Sequence, residues 1–321
     1  MLGAKEFKVG NCVDGEFLVT SSMIKTTKTG KAYIDFDVRA LDGTVFEGCK
    51  RWDCNVPPSG VIRLKGAVDE YNGKLQIKAD HWEKGEKEAN DFQAKCPWEL
   101  ESVHLADLWN DFISNISDPE MFAFAMENVT FWGNHHFPSM AKRETEDLYF
   151  EHPGAQSNHH AYRHGLLEHT VEVMEHARDI AITHNLSDHE IDLLIAGCAL
   201  HDIGKMEEFE LVDGVYQFSA VGKAYGWTSN AHLYIGSQML TTDFLINKPD
   251  VSMEDFMILQ NIVMSHHGQF GDTKPKFIVS MIAHMADNAS AQVNRMKLNL
   301  FNSPDGEVKK DSTYNSYMAI K

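Results

Sequence analysis

The segment LLIAGCALHDIGK, residues 193–205, ends an apolar run on adjacent His201 and Asp202. Burying an imidazole and a carboxylate costs free energy unless a partner replaces the lost water, and Asp is rarely fully buried without one. Suitable partners include a metal ion, a hydrogen-bond network and a substrate phosphate. These two residues are therefore the first candidates for chemistry.

Four other segments also place His or Asp beside apolar residues. They contribute His169 in GLLEHTVEVMEHA, His232 in SNAHLYIG, His266 and His267 in VMSHHGQFG, and His284 with Asp287 in IAHMADNASAQ. A lone histidine on a helix is usually a core or surface residue, and we interpret His176, His184 and His189 in that way. Five such segments together favour a metal centre assembled in the core of a helical bundle.

The donor types narrow the choice of metal. Imidazole and carboxylate without thiolate point to Mn, Fe, Zn, Mg, Ni or Co and away from a structural cysteine site. The five cysteines are scattered, and the spacing of Cys49 and Cys54 is not the C-x2-C spacing of a zinc site. We interpret them as reduced thiols.

Most of the chain has the apolar periodicity of helices, which must position these residues. Residues 102–116 and 119–132 have helical spacing, the second beginning at Asp118 and Pro119 as N-cap and first turn. The same character recurs over 166–184, 188–201, 229–241, 252–265 and 275–297. The sequence FELVDGVYQFS predicts a short hairpin between the helices at 188–201 and 229–241. The second part of the chain is therefore predicted to be mainly helical.

The first 85 residues instead alternate as strands do. AYIDFDVRA, with turn signals on both sides, is followed by VFEGCKRW, and GVIRLKGAVDEY and KLQIKADHW form a hairpin around Asn72–Gly73. About five short strands predict a small oligonucleotide/oligosaccharide-binding (OB) barrel. The fold class is thus α+β multidomain: an OB-type barrel, residues 1–85, precedes a helical bundle.

Charge and histidine are divided unevenly between these parts. Residues 1–85 hold 13 Lys and Arg against 12 Asp and Glu, whereas residues 86–321 hold 16 against 35 and all histidines except His81. The acidic part, residues 86–321, repels polyanions unless bound cations reverse the local electrostatic field. No apolar run reaches the roughly 18 residues of a membrane span, and the N-terminus lacks a signal peptide. We predict a cytoplasmic protein with no membrane partner.

Together these residues resemble the HD-domain metal-dependent phosphohydrolases. His169, His201–Asp202 and Asp287 match their H…HD…D pattern, and His232 with His266–His267 matches the members that bind two metals. SNHHAYRHGLLEHT, LHDIGK, AHLYIG and SHHG look more specifically like the YhaM family of bacterial 3′–5′ exoribonucleases, which also carries an N-terminal OB domain. The resemblance spans roughly residues 8–295. We predict a barrel at 1–85, a linker and helical extension at 86–150, an HD-type domain at 151–300 and a C-terminal tail at 301–321.

The resemblance implies a two-metal site bridged by Asp202. One ion would take His169, His201 and Asp287, and the other His232, His266 and His267. We expect two divalent ions, Mn2+ first, with Mg2+, Fe2+, Co2+, Ni2+ and Zn2+ as alternatives. They would lower the pKa of a bridging water and stabilise the leaving oxygen.

Other residues are candidates for contact with the substrate. We assign Lys205 to a non-bridging phosphate oxygen, and His159, His160 and Arg163 to phosphate contact or leaving-group protonation. A structural role for Lys205 at a helix end, or for one of the two histidines, stays open. The family motif has glycine where this chain has His164, which predicts a narrower or altered entrance.

On the barrel, aromatic side chains interleaved with cations favour binding of a single strand. The candidate residues are Tyr33, Arg39, Lys50, Arg51 and Trp52.

The leading hypothesis is therefore a 3′–5′ exonuclease that hydrolyses single-stranded RNA, and also DNA as an open alternative, to nucleoside 5′-monophosphates. A second reading changes the substrate to a cyclic nucleotide, cyclic oligonucleotide or other small phosphoester. A third is a non-catalytic single-strand-binding adaptor, which filled ligand positions disfavour. MFAFAMENVTFW fits either a core or a subunit interface, so a homo-oligomer stays open.

Overall fold

The computed structural model describes residues 8–43, 45–52, 54–71, 74–98, 100–134, 148–156, 159–212, 214–225, 230–247, 249–301, 305–311 and 315–320. The chain divides into two compact units. Met1–Cys96 and Leu211–Tyr216 make up the barrel unit, and Pro97–Glu210 and Gln217–Lys321 make up the helical unit.

Five strands close into a barrel in the order β1-β2-β3-β5-β4. They are β1 (Cys12–Thr26), β2 (Ala32–Arg39), β3 (Val45–Trp52), β4 (Val61–Tyr71) and β5 (Lys74–Lys84). All neighbours are antiparallel except β3 and β5, whose parallel pairing closes the barrel. This is the predicted OB-type barrel. The predicted turn at Asn72–Gly73 lies outside the described residues.

Alternation along the strands fills the barrel core. Ile34, Phe36 and Val38 of β2 point inward and are fully buried, as the sequence pattern predicts. Charged side chains lie on the outer face, where Arg63 and Lys65 contact Asp14. After β5, a 3-10 turn at Ala89–Phe92 lies within the segment predicted as a linker.

The helical unit contains the predicted bundle. Its helices are α1 (Ser102–Ser114), α2 (Pro119–Asn134), α3 (Leu148–Glu151), α4 (Gly165–Thr183), α5 (Asp188–Leu200), α6 (Lys205–Glu208), α7 (Ala220–Ala224), α8 (Ala231–Asn247), α9 (Met253–Ser265) and α10 (Ile278–Leu300). The start of α2 is confirmed, since the Asp118 side chain accepts hydrogen bonds from the N–H groups of Glu120 and Met121 at 3.0 Å each.

Two short hairpins complete the architecture. The predicted one pairs β6 (Phe209–Val212) with β7 (Val215–Phe218), and a second pairs β8 (Val308–Asp311) with β9 (Asn315–Met318). All five cysteines are free, and Cys49 and Cys198 are buried. Within the described residues, none of the helices combines the length and apolar character that crossing a bilayer requires.

Candidate metal centre

Five helices of the bundle bring the seven predicted metal ligands to one place. His169 lies on α4, His201–Asp202 follow α5, His232 is near the start of α8, His266–His267 follow α9, and Asp287 lies on α10. Their donor atoms fall into three overlapping groups, in each of which all the donors lie within 4.8 Å of one another. Residues that are far apart in the sequence thus form a single cluster.

Asp202 lies at the middle of this cluster and is almost fully buried. Its Oδ2 is 3.4 Å from Nε2 of His169 and 3.3 Å from Nε2 of His201. Its Oδ1 is 3.3 Å from Nε2 of His232 and 3.4 Å from Nε2 of His266. One carboxylate therefore faces a different pair of imidazoles with each oxygen.

Asp287 and His267 extend the two halves. Oδ1 of Asp287 lies 3.1 Å from Nε2 of His169 and 4.0 Å from Nε2 of His201. On the other side, the ring of His267 lies 5.0 Å from that of His232, centroid to centroid. One half of the cluster thus contains Asp287 with two imidazoles, and the other contains three imidazoles. Asp202 is shared between them.

The Nδ1 atoms of the imidazoles are held by acceptors outside the cluster. Nδ1 of His201 lies 2.6 Å from the Cys198 carbonyl, and Nδ1 of His266 lies 2.9 Å from the Val263 carbonyl. Because a carbonyl only accepts, each Nδ1 carries the proton and donates it. The Nε2 atoms that face Asp202 therefore present lone pairs, which is the arrangement of metal-ligating histidine.

Two of the three remaining imidazoles follow the same pattern at Nδ1. Nδ1 of His232 donates to Oε2 of Glu208 at 3.0 Å, and Nδ1 of His169 donates at 2.8 Å to the hydroxyl of Ser290. That hydroxyl in turn donates to Oε2 of Glu172 at 2.7 Å. Each partner orients its imidazole toward the cluster.

Unsatisfied polar atoms test whether a cation fits here. Oδ1 of Asp202 and the Nε2 atoms of His232 and His266 are buried without a hydrogen bond, although such atoms are almost always satisfied in proteins. Oδ2 of Asp202 lies 2.5 Å from Nζ of Lys205. The 3.1–3.4 Å separations suit two ligands of one ion, since bonds of about 2.1 Å at tetrahedral or octahedral angles place ligands about 3.0–3.4 Å apart. The residues present fit divalent cations.

The charges of the cluster perturb its ionisable groups. Burial opposes ionisation of Asp202, but Lys205 and the imidazoles hold the pKa of its carboxyl well below the usual range. Burial alone would lower the pKa of His169, but Asp202 and Asp287 raise it to about 9. The two carboxylates thus favour positive charge beside them in this half of the cluster.

A cavity of about 430 Å³ opens onto the cluster, within the usual size range of ligand clefts. One part of its lining is polar and includes Lys205, His232 and Asp287, whereas Phe209, Phe218 and Phe270 provide apolar surface. Burial raises the pKa of Glu208, which also lines it, to about 8 despite the nearby Lys205. The cavity thus offers both charged and aromatic surface to a ligand.

The HD domain family matches residues 166–292, which span the cluster from His169 to Asp287. This part of the chain is therefore similar to HD domains. An HD domain implies dependence on a divalent metal, and the histidine–aspartate cluster supplies suitable donors. The predicted resemblance to HD phosphohydrolases is confirmed.

Similarity to other proteins extends beyond the HD domain. The chain is 26% identical over 319 residues to the 3′-5′ exoribonuclease YhaM of Halalkalibacterium halodurans, covering 95% of this chain and 91% of that protein. It is 26% identical over 313 residues to YhaM of Bacillus subtilis, covering 94% and 91%. It is 24% identical over 315 residues to YhaM of Listeria monocytogenes serotype 4b, covering 94% and 92%. No solved structure matches the chain.

The other predicted catalytic residues have different surroundings within the HD domain and the segment before it. Nζ of Lys205 lies 2.5 Å from Oδ2 of Asp202 and faces the cavity. His159 also lines the cavity, and burial lowers its pKa to about 2, so its imidazole is neutral. His160 is fully buried behind His169, with ring centroids 5.0 Å apart and Nε2 3.3 Å from Oε2 of Glu172.

The structure does not bring Arg163 to the metal cluster. Its guanidinium contacts Oε1 of Glu151 at 2.5 Å and is about half exposed. His164 likewise lies outside the cavity lining, and its Nδ1 donates to the Phe150 carbonyl at 2.8 Å. It is the N-cap of α4 and has a left-handed backbone, φ +67°, a conformation that glycine adopts without strain.

Glycine is essential at the next residue for a different reason. A Cβ on Gly165 would stand 2.0 Å from the His160 carbonyl oxygen, so the chain before α4 packs directly on its first residue. This close approach holds the segment of His159 and His160 against the start of the helix that carries His169.

The barrel residues divide into those that face outward together and those that do not. The rings of Tyr33 and Trp52 lie 4.8 Å apart on paired strands β2 and β3, with Nζ of Lys31 over the Trp52 ring at 5.5 Å. Lys50 lies on the same outer face of β3 and lines a shallow polar depression with Asp35.

Arg39 and Arg51 lie elsewhere. The guanidinium of Arg39 reaches the carbonyls of Phe92 and Gly214 within the barrel unit at 3.4 and 3.5 Å, and burial lowers its pKa. The guanidinium of Arg51 stacks at 4.5 Å on Trp82, a ring that packs against the core residue Phe36. Neither arginine joins the aromatic pair formed by Tyr33 and Trp52, because their side chains bind the barrel itself.

Sequence reasoning missed the groups that orient the ligands. Glu172 lies three residues after His169, and Ser290 three residues after Asp287, so helical spacing places each beside a ligand. Glu208 lies three residues after Lys205. This spacing was the available signal, but neither serine nor glutamate on a helix stands out alone.

Proposed function

We propose that this protein is a metal-dependent 3′–5′ exonuclease that hydrolyses single-stranded RNA to nucleoside 5′-monophosphates. The observation that carries the proposal is the Asp202 carboxylate, which is buried between two pairs of imidazole Nε2 atoms. Similarity over about 95% of the chain to proteins named 3′-5′ exoribonuclease supports the reaction and the polarity. The division at residues 1–85, 86–150, 151–300 and 301–321 belongs to the same proposal.

The proposed ligand sets follow the two halves of the cluster. One divalent ion would be held by His169, His201 and Asp287. The other would be held by His232, His266 and His267. The carboxylate of Asp202 would contact both ions. When bound, divalent ions neutralise the phosphodiester and lower the pKa of the attacking water. We propose Mn2+ first, because the cluster's carboxylate donors suit this ion and the cluster contains no thiolate.

The chain's own side chains position the phosphate. Lys205 faces the cavity beside Asp202, so its ammonium group would hold a non-bridging oxygen and offset the acidity of the body. His159 would contact the phosphate as a neutral imidazole, since burial disfavours its charged form. Glu208, Ser290 and Glu172 would keep the imidazoles aimed at the cluster.

Barrel side chains would capture the strand. The neighbouring rings of Tyr33 and Trp52 offer stacking surface, and Lys31 and Lys50 lie next to them on the outer face. Trp52→Ala should weaken binding of a single-stranded RNA by roughly 5- to 150-fold, the range of one base–aromatic stack. His81→Ala, on the β4–β5 pair, is the control. Equal affinity of the Trp52 variant and the unchanged protein would remove this face from the proposal.

The direct test is digestion of a 5′-labelled single-stranded RNA with added Mn2+, beside a matching DNA. The expected product is a ladder that shortens from the 3′ end. Asp202→Asn should slow it by more than about 100-fold, since partners of metal ligands alone are worth 10- to 100-fold. Asp188→Asn makes the same chemical change at the exposed other end of α5 and should leave the rate unchanged. Intact RNA alongside cleaved cyclic nucleotides would reject the proposal.

A further inference from the structure

Phe270 is an exposed aromatic residue beside the metal cluster. Its side chain is 65% exposed and lines the same cavity as Lys205 and His232. Single exposed apolar residues are ordinary on protein surfaces, but this one follows the ligand pair His266–His267 by only three residues. Its position relative to the cluster is therefore set by a very short piece of chain.

That piece of chain is held in place by the rest of the protein. Residues Gly268–Phe270 form a 3-10 turn in which the Phe270 N–H donates to the His267 carbonyl at 3.0 Å. Nζ of Lys274 donates to three carbonyls around the turn, those of Gly268, Gln269 and Gly271, at 3.1, 3.3 and 2.7 Å. The exposed ring thus stands on a fixed support, as a preorganised binding surface requires.

Packing beneath the turn fixes it further. Gly268 has φ +52°, and a Cβ there would stand 2.3 Å from the imidazole of His284, so the turn lies directly on that ring. His284 is itself held, since its Nδ1 donates to the His266 carbonyl at 2.7 Å. The turn, His284 and the end of α9 therefore form one rigid corner of the cavity.

The cavity has the parts that a nucleotide needs. Its charged wall, at Lys205 and the cluster, suits a phosphate, and the side-chain amides of Asn230 and Asn288 can hydrogen-bond to polar edges. Phe270 adds a ring whose face can stack on any base. We propose that Phe270 is the stacking platform for the 3′-terminal nucleobase, an inference that rests on the proposed nuclease function.

Equilibrium binding tests the platform without requiring turnover. Adenosine 5′-monophosphate and ribose 5-phosphate share the phosphate and the sugar, and only the first carries a base. In calorimetric titrations of the Mn2+-loaded protein, the nucleotide should bind roughly 5- to 150-fold more tightly, the fold-change of one base–aromatic stack. Phe270→Ala should remove this preference, and Phe270→Trp should retain it.

A matched control is available on the same unit. Phe277 is 40% exposed and is not among the residues that line the cavity, so Phe277→Ala should leave the nucleotide preference intact. Equal binding of the two ligands by the unchanged protein, or a preference that survives Phe270→Ala, would overturn the inference. A lower mass of Phe270→Ala in size-exclusion chromatography would do the same, because the ring would then be a subunit contact.

The RNA digest separates this inference from the function on which it rests. If the protein leaves RNA intact while Phe270 still discriminates between the two ligands, the nuclease proposal fails and the nucleotide platform stands. If RNA is digested from the 3′ end but the unchanged protein binds both ligands equally, the platform alone is wrong.

Discussion

Asp14 in the barrel unit and Asp202 in the helical unit are both paired carboxylates, but their surroundings differ completely. Asp14 is about half exposed and pairs at the surface with Arg63 and Lys65. Asp202 is buried among four imidazoles, with the Lys205 ammonium 2.5 Å from its Oδ2, while its Oδ1 makes no hydrogen bond. Surface pairs contribute little to stability, whereas buried charges are costly unless compensated. Asp14 therefore stays solvated beside its partners, whereas Asp202 depends on its buried neighbours for compensation.

Backbone strain divides in the same way. The described residues of the barrel strands and their turns adopt positive φ only at glycines, such as Gly30 and Gly60. Among the described residues of the helical unit, three residues other than glycine do so, His160, His164 and Asn185. Asn185 follows the end of α4 in the usual left-handed manner, but His164 immediately precedes this ligand helix and His160 lies five residues before it. Strained positions of this kind cluster at functional sites.

Metal removal should produce the largest difference between the units. Because a ligand that binds only the folded state stabilises it by about 2.7 kcal/mol at 100 times its Kd, saturating Mn2+ should slow hydrogen exchange in α5, α8 and α9. Exchange in β1–β5 should not change. Peptide-resolved exchange with and without a chelator measures both units in one sample. A uniform effect over the whole chain, or none, would contradict the comparison.

The next effect should come from removing a group that orients a ligand. Ser290→Ala takes away the acceptor of the His169 Nδ1–H and should weaken Mn2+ binding by roughly 10- to 100-fold. Ser280 is the matched control, since it lies on the same helix, is fully buried, and its hydroxyl has no hydrogen-bond partner. Metal titration of both variants is the measurement. An equal loss of Mn2+ affinity in the Ser290→Ala and Ser280→Ala variants would mean that both substitutions perturb α10. The hydroxyl of Ser290 would then not orient His169.

These two experiments concern residues that the sequence indicated to different degrees. His169, Asp202 and Asp287 stood out because charged or imidazole side chains interrupted apolar helical patterns, and the structure brings them together. Ser290 could not be found in this way, because a serine on an amphipathic helix is ordinary. Its significance depends on which helix packs opposite it, and that information is absent from local spacing.

The barrel illustrates the same limit. Alternation correctly predicted the inward face of β2, including Phe36, because a strand has only two faces. It could not predict that Arg39 reaches backbone carbonyls or that Arg51 stacks on Trp82. A long side chain at a strand end can turn in several directions, and tertiary contacts decide among them.

A smaller effect is expected at His164. Its left-handed backbone costs about 1–2 kcal/mol relative to glycine, while its hydrogen bond to the Phe150 carbonyl contributes about 1 kcal/mol. His164→Gly should therefore be nearly neutral in urea unfolding, and His164→Ala, which keeps the strain and loses the bond, should be the least stable. We expect both to retain the substrate-length preference, since His164 lies outside the cavity lining. A shifted length preference would restore the predicted role at the entrance.

The smallest effect should come from Asp14→Asn in the barrel. The hydrogen bond from Arg63 is the main cause that lowers the pKa of Asp14 below 3.8, and Lys65 also lowers it. A folded-state pKa below the unfolded value means that the pair stabilises the protein above about pH 3.8 and loses this effect as the pH falls through the folded-state pKa. The difference in thermal midpoint between the Asn variant and the unchanged protein should be small at pH 7, smaller in 1 M salt, and absent in strong acid. A large drop in thermal midpoint that persists in 1 M salt would contradict the comparison. It would mean that the Asp14 pair is shielded from solvent and salt, as the charges of the helical unit are.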